Sequence, residues 1–318
     1  MKELALEVGF DLVGITSPDA QSSFERYSAQ MTAGYGAEMS WLYERPELRR
    51  DVRTVHSETR SVIVLAVSYA SDTPGYLEAP PAADEGWIAR YAQGRDYHHD
   101  VRKMAIRLAK AMSEEPSLGG ESSAHRVFVD TGPVLEKAFA QRAGLGWMGK
   151  NTLLLNRGLG SWVFLGVILT PLELASDAPG TDHCGSCTRC LDACPTGAFP
   201  EPYVLDARAC IATWTIESAE PSAVIEAESL GQHVFGCDIC QEVCPWNRGV
   251  PEGRLATLLP REENLRPKLE TLAGLDEESF RARFPRSAVR RTSAEKMAEV
   301  VEIIRTRGAV VSDEPSEP

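Results

Sequence analysis

Three stretches of the chain combine apolar runs with β-branched residues and predict buried strands. They are residues 60–70 (RSVIVLAVSYA), 125–131 (HRVFVDT) and 161–169 (SWVFLGVIL). Continuous apolar runs of this length are typical of strands that are covered on both faces. Helix-like patterns at residues 97–112 and 133–142 lie between them, and Pro133 suits a first helical turn. The pattern predicts an α/β or α+β fold with a covered sheet.

Three regions and a tail follow one another along the chain. Residues 1–170 alternate helix-like and strand-like segments, and residues 171–250 contain the cysteines with many prolines and glycines. Residues 251–308 are charged and helix-like, and the acidic residues 309–318 predict a disordered tail. We therefore expect an α+β protein with an N-terminal α/β domain, a cysteine domain and a short C-terminal helical region.

The chain is acidic overall, which bears on whether it binds nucleic acid across its surface. Among 318 residues, 33 are Lys or Arg and 46 are Asp or Glu, which gives a net charge of −13. This balance argues against a surface coated with basic charge for nucleic acid, although it allows one local basic patch. No apolar run has the length of a membrane span, and the first residues, MKELALEVGF, lack the features of a secretory signal. We expect a cytoplasmic protein with no membrane partner.

All eight cysteines lie between Cys184 and Cys244. A disulfide framework of this density suits small secreted domains rather than a reducing cytoplasm. The first run has the spacing C-x2-C-x2-C-x3-C-P of bacterial ferredoxins, in which the fourth cysteine binds the other cluster. The second run has only three cysteines, because Val234 stands where its first member would be, and Cys210 completes the count.

The simplest ligand assignment crosses the two runs. The first cluster takes Cys184, Cys187, Cys190 and Cys244, and the second takes Cys194, Cys210, Cys237 and Cys240. Zinc is the alternative, but two CxxC pairs would leave both x3-C-P elements unexplained. The spacing therefore predicts two [4Fe–4S] clusters, which form an electron relay without identifying what is reduced.

A basic stretch near the C-terminus contrasts with the acidic chain. Residues 281–291 (RARFPRSAVRR) contain five arginines and no acid. Arginine forks match phosphate geometry and bind nucleic-acid backbones in a salt-sensitive manner. The alternative is a solvated helix face paired with Glu277, Glu278 and Glu295. From the residues alone, that alternative is the favoured interpretation.

The stretch 129–151 (VDTGPVLEKAFAQRAGLGWMGKN), together with both cysteine runs, closely resembles the epoxyqueuosine reductase family. Further matching segments are RYAQGRDYH at 90–98, GCDICQEVCPWN at 236–247 and FPRSAVRR near the C-terminus. The resemblance implies an enzyme that reduces the epoxide of epoxyqueuosine in a tRNA anticodon loop to queuosine. It also implies that the two clusters pass electrons from an unidentified low-potential donor to a base-off cobalamin without a protein cobalt ligand, bound in the N-terminal domain.

The resemblance also implies roles for individual residues. Asp130 matches the family's catalytic aspartate and becomes the candidate proton donor, with a pKa raised by burial beside the corrin. The alternative is that Asp130 caps the following helix. The candidate cobalamin contacts are Arg53, Tyr97, Asp130, Lys150 and Asn151. The candidate tRNA contacts are Arg281, Arg286, Arg290, Arg291 and Lys296.

The chain lacks a complete motif for a cobalt-binding histidine. Asp96, Tyr97 and His98 begin a D-x-H-x-x-G cobalamin motif, but Val101 replaces its glycine, so His98 and His99 are interpreted as polar contacts or surface residues. A different corrinoid iron–sulfur reductase, such as a reductive dehalogenase relative, is one alternative function. A non-catalytic two-cluster electron carrier is the other, although a carrier does not need so long a domain ahead of its clusters.

Overall fold

The computed structural model describes residues 1–19, 21–115, 124–218 and 227–311. The strands are β1 (Leu12–Thr16), β2 (Ser61–Ser68), β3 (Trp87–Ile88), β4 (Arg126–Phe128), β5 (Trp147–Met148), β6 (Leu154–Leu155), β7 (Val163–Thr170) and β8 (His233–Phe235). Short 3₁₀ turns lie at Val52–Thr54, Ala207–Ala209, Ala227–Leu230, Pro245–Asn247 and Ala288–Arg291.

The α-helices range from single turns to 18 residues. They are α1 (Lys2–Val8), α2 (Gln21–Thr32), α3 (Ser40–Tyr43), α4 (Glu47–Arg50), α5 (Arg90–Gln93), α6 (Tyr97–Glu114), α7 (Glu136–Arg142), α8 (Arg189–Asp192), α9 (Ile211–Ile216), α10 (Ile239–Glu242), α11 (Glu262–Leu265), α12 (Leu269–Ala273), α13 (Glu277–Arg283) and α14 (Ala294–Val311). Within the described ranges, no helix is both long enough and apolar enough to cross a membrane.

A four-stranded antiparallel sheet forms the centre of the N-terminal region, in the order β1-β2-β7-β4. Strand β2 pairs with β7 along its whole length, from Ser61 opposite Thr170 to Ser68 opposite Val163. All eight residues of β2 are buried, as its continuous apolar run predicts. The three predicted strands are β2, β4 and β7 of this one sheet, and the α+β prediction is confirmed.

The side chains of β2 alternate between two helical layers. Ile63 and Leu65 belong to a core shared with α1 and α6, whereas Val62 and Val64 belong to a second core shared with α7. Successive strand residues point to opposite faces, so one unbroken apolar strand supplies both cores. The helices thereby cover the sheet on both sides.

Of the two helices predicted in this region, one begins where the sequence predicts and the other begins later. Helix α6 begins at Tyr97 as predicted, where the Asp96 side chain caps it, and it continues to Glu114. Helix α7 begins at Glu136, three residues after the predicted start at Pro133. Pro133 instead lies in the turn between β4 and α7, and this turn contributes to the site described below.

Packing crosses both predicted region boundaries. Strand β3 pairs in parallel with β8. Ile88, Phe235 and Leu272 share one hydrophobic core and come from the first, second and third predicted regions, respectively. The division at residues 170 and 250 stays a prediction about domains, but the third core joins all three regions.

The C-terminal region is helical as predicted, but its boundary differs. Helix α14 continues to Val311, so residues 309–311 belong to it rather than to the predicted disordered tail. Residues 312–318 of that predicted tail lie outside the described residues.

Replacing Leu65 by Ala tests the central role of β2. Leu65 is fully buried, so Leu65→Ala should lower the free energy of unfolding by about 2–5 kcal/mol through lost burial and the cavity left behind. Leu77→Ala is the control, because Leu77 is 46% exposed. Thermal unfolding should show a clearly lower midpoint for Leu65→Ala only. Equal midpoints for the two variants would contradict this account of the core.

Candidate active site and cluster centres

Two short helical turns bring the cysteine runs together. Helices α8 and α10 pack against each other, and each lies within one run. A cavity of about 380 Å³ beside them is lined by four cysteines. These are Cys184, Cys187, Cys190 and Cys244. The structure thus places around one cavity the four residues that the sequence assigned to the first cluster.

The other four cysteines affect one another's pKa values and so lie near one another. Burial raises the pKa values of the Cys237 and Cys240 thiols well above that of an ordinary cysteine. The neighbouring thiol of Cys210 raises both further, and Cys194 also acts on Cys240. Cluster ligation requires thiolates, so iron must offset this cost of ionising buried sulfur. The grouping matches the crossed arrangement expected from the spacing.

Lys150 and Asn151 hold the cysteine loops in place. Lys150 Nζ donates to the carbonyl oxygens of Gly185 (2.7 Å) and Cys187 (2.9 Å). Asn151 Nδ2 donates to the carbonyl oxygen of Cys240 (3.2 Å). Both side chains line the cysteine cavity, and their donors are engaged there. In this structure they stabilise the cluster loops, and their predicted contact with the corrin stays a prediction.

A larger cavity, of about 730 Å³, lies where distant parts of the chain meet. Its walls come from residues 41–49, the start of α6, the turn 130–133, the end of α9 and residues 287–291. Trp41, Tyr91 and Tyr97 supply aromatic surface. We call this space the Asp130 cavity, and it combines apolar walls with carboxylates and arginines.

Asp130 projects into this cavity from a constrained turn. Its φ angle is 57°, a left-handed conformation that Asp adopts more readily than most residues. The side chain is 63% exposed, and its Oδ2 lies 3.1 Å from His98 Nε2. Helix α7 has Leu135 at its N-cap position without a side-chain hydrogen bond, so the alternative role of Asp130 as its cap is not supported.

The contact with His98 decides the ionisation of Asp130 in this structure. The hydrogen bond from His98 lowers the pKa of Asp130 and outweighs the opposing effect of burial. The raised pKa expected from the sequence refers to Asp130 beside a bound corrin and stays a prediction, whereas in the protein alone the His98 contact lowers the pKa of Asp130. Asp130 is a carboxylate paired with a histidine rather than an isolated acid.

Tyr97 and His98 form an aromatic stack at the start of α6. The two rings lie 4.1 Å apart, and Tyr97 also stacks on Phe164 at 3.9 Å with nearly parallel planes. Tyr97 lies in the Asp130 cavity, as a cofactor contact requires. The stack fixes the His98 ring beside Asp130.

Arg53 lies elsewhere and pairs with acids. Its guanidinium contacts Asp19 at 2.9 Å and Asp51 at 2.8 Å. It lines a separate surface depression with Phe24, not the Asp130 cavity. The prediction that Arg53 contacts cobalamin is therefore not supported by its position.

The predicted tRNA-binding residues separate into two groups. Arg290 and Arg291 line the Asp130 cavity, and Arg291 pairs with Glu217 at 2.7 Å. Arg286 is exposed just before them, with a φ angle of 53°. These residues bring positive charge to the cavity from the C-terminal region.

The other two predicted contacts are engaged within the protein. Arg281 pairs with Glu277 one helical turn away at 2.7 Å, as the alternative of a solvated helix face expected. Lys296 is 8% exposed, lies over the Trp214 ring at 4.9 Å and pairs with Glu299 at 3.1 Å. Lys296 is therefore corrected from a phosphate contact to a packed side chain.

Several cavity residues were not found from the sequence. Glu217 lines the Asp130 cavity only because the chain folds back, and no local motif marks it. Arg49 is nearly buried at the same wall, where it donates to the carbonyl oxygens of Trp41 and Glu44. His98 was expected to be a polar contact or a surface residue, and the structure makes it a polar contact whose partner is Asp130.

Comparisons with known proteins are consistent with this geometry. Residues 183–247 match the family described as "4Fe-4S double cluster binding domain", which decides for iron–sulfur clusters over zinc. The fold and the paired cysteine loops therefore define a double-cluster iron–sulfur protein. Residues 49–131 match the family described as "Epoxyqueuosine reductase QueG, DUF1730".

Curated relatives give the particular family. An epoxyqueuosine reductase of Synechocystis sp. is 43% identical over 87% of this chain and 93% of its own length. That of Escherichia coli is 36% identical over 92% of this chain and 76% of its own. The chain belongs to the epoxyqueuosine reductase family. This membership does not favour the dehalogenase-like or electron-carrier alternatives.

Two solved structures extend the match to the whole fold. An epoxyqueuosine reductase with an epoxyqueuosine-modified tRNA-Tyr stem loop has a TM-score of 0.85 and 28% identity, covering 98% of this chain and 81% of that one. A Bacillus subtilis epoxyqueuosine reductase has a TM-score of 0.85 and 27% identity over the same shares. That structure is described with its catalytic aspartate loop swung out of the active site.

Pairs of cysteine substitutions test the crossed ligand assignment. Anaerobically purified protein should contain about eight irons per chain. Cys184→Ser with Cys244→Ser should leave about four, because both residues belong to one predicted cluster. Cys184→Ser with Cys194→Ser should remove nearly all iron, because each residue belongs to a different cluster.

Iron analysis and electron paramagnetic resonance of the reduced proteins provide the readout. Ser186→Ala, in the same loop as Cys184, is the control and should retain both clusters. The reversed pattern for the two double variants would replace the crossed assignment with an uncrossed one.

Proposed function

We propose that this protein deoxygenates the epoxide of epoxyqueuosine in a tRNA anticodon loop and so produces queuosine. The observation that carries the proposal is the Asp130 cavity, where a candidate proton donor meets arginines from the C-terminal region. Family membership supports it, as does the relative solved with a modified tRNA stem loop. A tRNA substrate is consistent with a reaction in the cytoplasm.

The reaction requires electrons and protons at one oxygen. Breaking both C–O bonds of the epoxide to leave an alkene consumes two electrons and two protons and releases water. Asp130 is the proposed proton donor because it is the carboxyl group that the strained turn presents to the cavity. A donor must lie within hydrogen-bond reach of the oxygen, which an exposed side chain in the cavity satisfies.

Two clusters are the proposed route for the electrons. The first takes Cys184, Cys187, Cys190 and Cys244, and the second takes Cys194, Cys210, Cys237 and Cys240. The first group lines a cavity open to solvent, where a low-potential donor protein has access.

Cobalamin is the proposed cofactor of the Asp130 cavity. When bound, it would supply a strongly reducing cobalt centre for the epoxide. The aromatic walls, with Tyr97 among them, suit a large flat ring, and Asp130 faces the same space. Both ring nitrogens of His98 are engaged by carboxylates, so this histidine is not a cobalt ligand in the proposal. The base-off form of the cofactor is proposed from the family resemblance alone.

The C-terminal arginines are the proposed contacts to the tRNA backbone. Arg286, Arg290 and Arg291 are exposed near the cavity mouth, where phosphates flanking a splayed base would pass. Arg281 and Arg291 contribute less than Arg286 and Arg290, because Glu277 and Glu217 already pair with them. The anticodon loop would thus be held by charge while its modified base enters the cavity.

Asp130→Asn tests the proton donor. The reconstituted wild-type protein with cobalamin, a low-potential reductant and tRNA carrying epoxyqueuosine should form queuosine. Asp130→Asn should keep bound cobalamin and slow product formation by about 10²–10⁴-fold, the range of general acid catalysis. Nucleoside analysis by mass spectrometry measures the product.

The control for this experiment is Asp72→Asn, which removes an exposed carboxylate outside the cavity. It should leave turnover unchanged. Full turnover by Asp130→Asn would remove Asp130 from its proposed role, and no queuosine from wild type would reject the proposed function.

Arg290→Ala and Arg281→Ala form a charge-matched pair for tRNA binding. Arg290→Ala should weaken binding of the modified stem loop and reduce the salt dependence of log K by about one unit of slope. Arg281→Ala should have a smaller effect because its charge is already paired. Fluorescence anisotropy across a salt series measures both. Equal losses in the two variants would contradict a localised contact.

A further inference from the structure

Behind Asp130, three side chains form a continuous hydrogen-bonded line. Asp96 Oδ1 lies 2.7 Å from His98 Nδ1, and His98 Nε2 lies 3.1 Å from Asp130 Oδ2. The Asp96 carboxylate is fixed at the start of α6, where it accepts the backbone N–H of His98 at 3.0 Å. The proposed proton donor therefore has a positioned imidazole directly behind it.

The two partners of His98 determine which form of the ring fits. Both are carboxylates, which accept hydrogen bonds when ionised. A neutral imidazole has one N–H donor, whereas the imidazolium has two. Only the charged ring donates to Asp96 and Asp130 at the same time. The geometry therefore favours a histidine that stores a proton beside the cavity.

We propose that His98 is a positioning residue that reloads Asp130 with a proton, so that Asp130 can deliver both protons of the epoxide reduction. This inference rests on the proposed function. Asp130 would thus deliver two protons in succession to the same oxygen, which leaves as water.

Each proton follows the same path from solvent through His98 and Asp130 to the epoxide oxygen. At rest the proton stays on His98, whose pKa is raised, and not on Asp130, whose pKa is lowered. During turnover it passes from His98 Nε2 to Asp130 Oδ2, which leaves a neutral imidazole and a transient carboxylic acid. Asp130 then gives that proton to the epoxide oxygen, and a solvent proton recharges His98, which is partly exposed. A second cycle supplies the second proton. The two electrons come from the clusters and their external low-potential donor.

The surrounding charges favour a protonated His98. Burial lowers its pKa, but the hydrogen bonds and charges of Asp130 and Asp96 outweigh burial and raise the pKa to about 9. Tyr97 stacks on the ring. The other charged groups lining the cavity are Glu44, Arg45, Arg49, Glu217, Arg290 and Arg291. Because the folded-state pKa is raised, His98 holds its proton below about pH 9 and loses it above.

The pH dependence of a single turnover separates this role from a structural one. The wild-type rate of queuosine formation should fall as the pH rises through about 9. Asp96→Asn keeps a good helix cap but removes one charge, so the fall should move to lower pH. His98→Gln should lower the rate by about tenfold or more at neutral pH and abolish the fall that His98 causes.

The neighbouring residue provides the matched control. His99→Gln alters the next position of α6, and it should leave both the rate and the pH profile unchanged. Imidazole added to His98→Ala should restore part of the rate, in proportion to its protonated fraction. A side chain with a purely structural role would not respond in that way.

A titration of the resting protein tests the pair without turnover. With ¹³C-labelled histidine, the His98 signal should titrate near pH 9 in wild type and at lower pH in Asp96→Asn and Asp130→Asn. The same midpoint in all three proteins would overturn the inference. So would a wild-type enzyme that forms queuosine while His98→Gln retains its full rate and pH profile. By contrast, absence of queuosine from wild type would reject the proposed function itself.

Discussion

A buried carboxylate joins the cluster loops to the segment that lines the Asp130 cavity. Asp238, only 1% exposed, accepts hydrogen bonds from the Arg90 backbone N–H at 2.7 Å and from Trp87 Nε1 at 3.2 Å. It lies between two cysteines of the second cluster group, and Tyr91, next to Arg90, forms part of the cavity wall. The geometry of the whole site depends on this link, because one short segment contacts the cluster loop and the cavity at once.

The rest of the architecture serves that junction. The sheet fixes the turn that carries Asp130, and the helix α6 that packs on it carries His98. The core shared by Ile88, Phe235 and Leu272 brings the C-terminal arginines to the opposite wall. The cavity is therefore a product of packing between regions, and none of them forms it alone.

The sequence predicted best those features that local chemistry imposes. Thiolate ligation dictates the cysteine spacing, and burial on both faces dictates the apolar run of β2. The start of α7 was misplaced because Pro133 favours a helix start by local preference, whereas here it completes the Asp130 turn. The observed contacts of Lys150 and Lys296 could not be predicted because their partners are distant in sequence: backbone carbonyls of a cysteine loop for one, and the Trp214 ring for the other.

The central claim is that one cavity holds the modified base with its epoxide beside Asp130. An anaerobic crystal structure of the protein with cobalamin and an epoxyqueuosine-modified anticodon stem loop tests it most directly. The account predicts corrin density against Tyr97 and the epoxide oxygen within hydrogen-bond distance of Asp130. A base bound outside this cavity, or a corrin bound away from Tyr97, would contradict it.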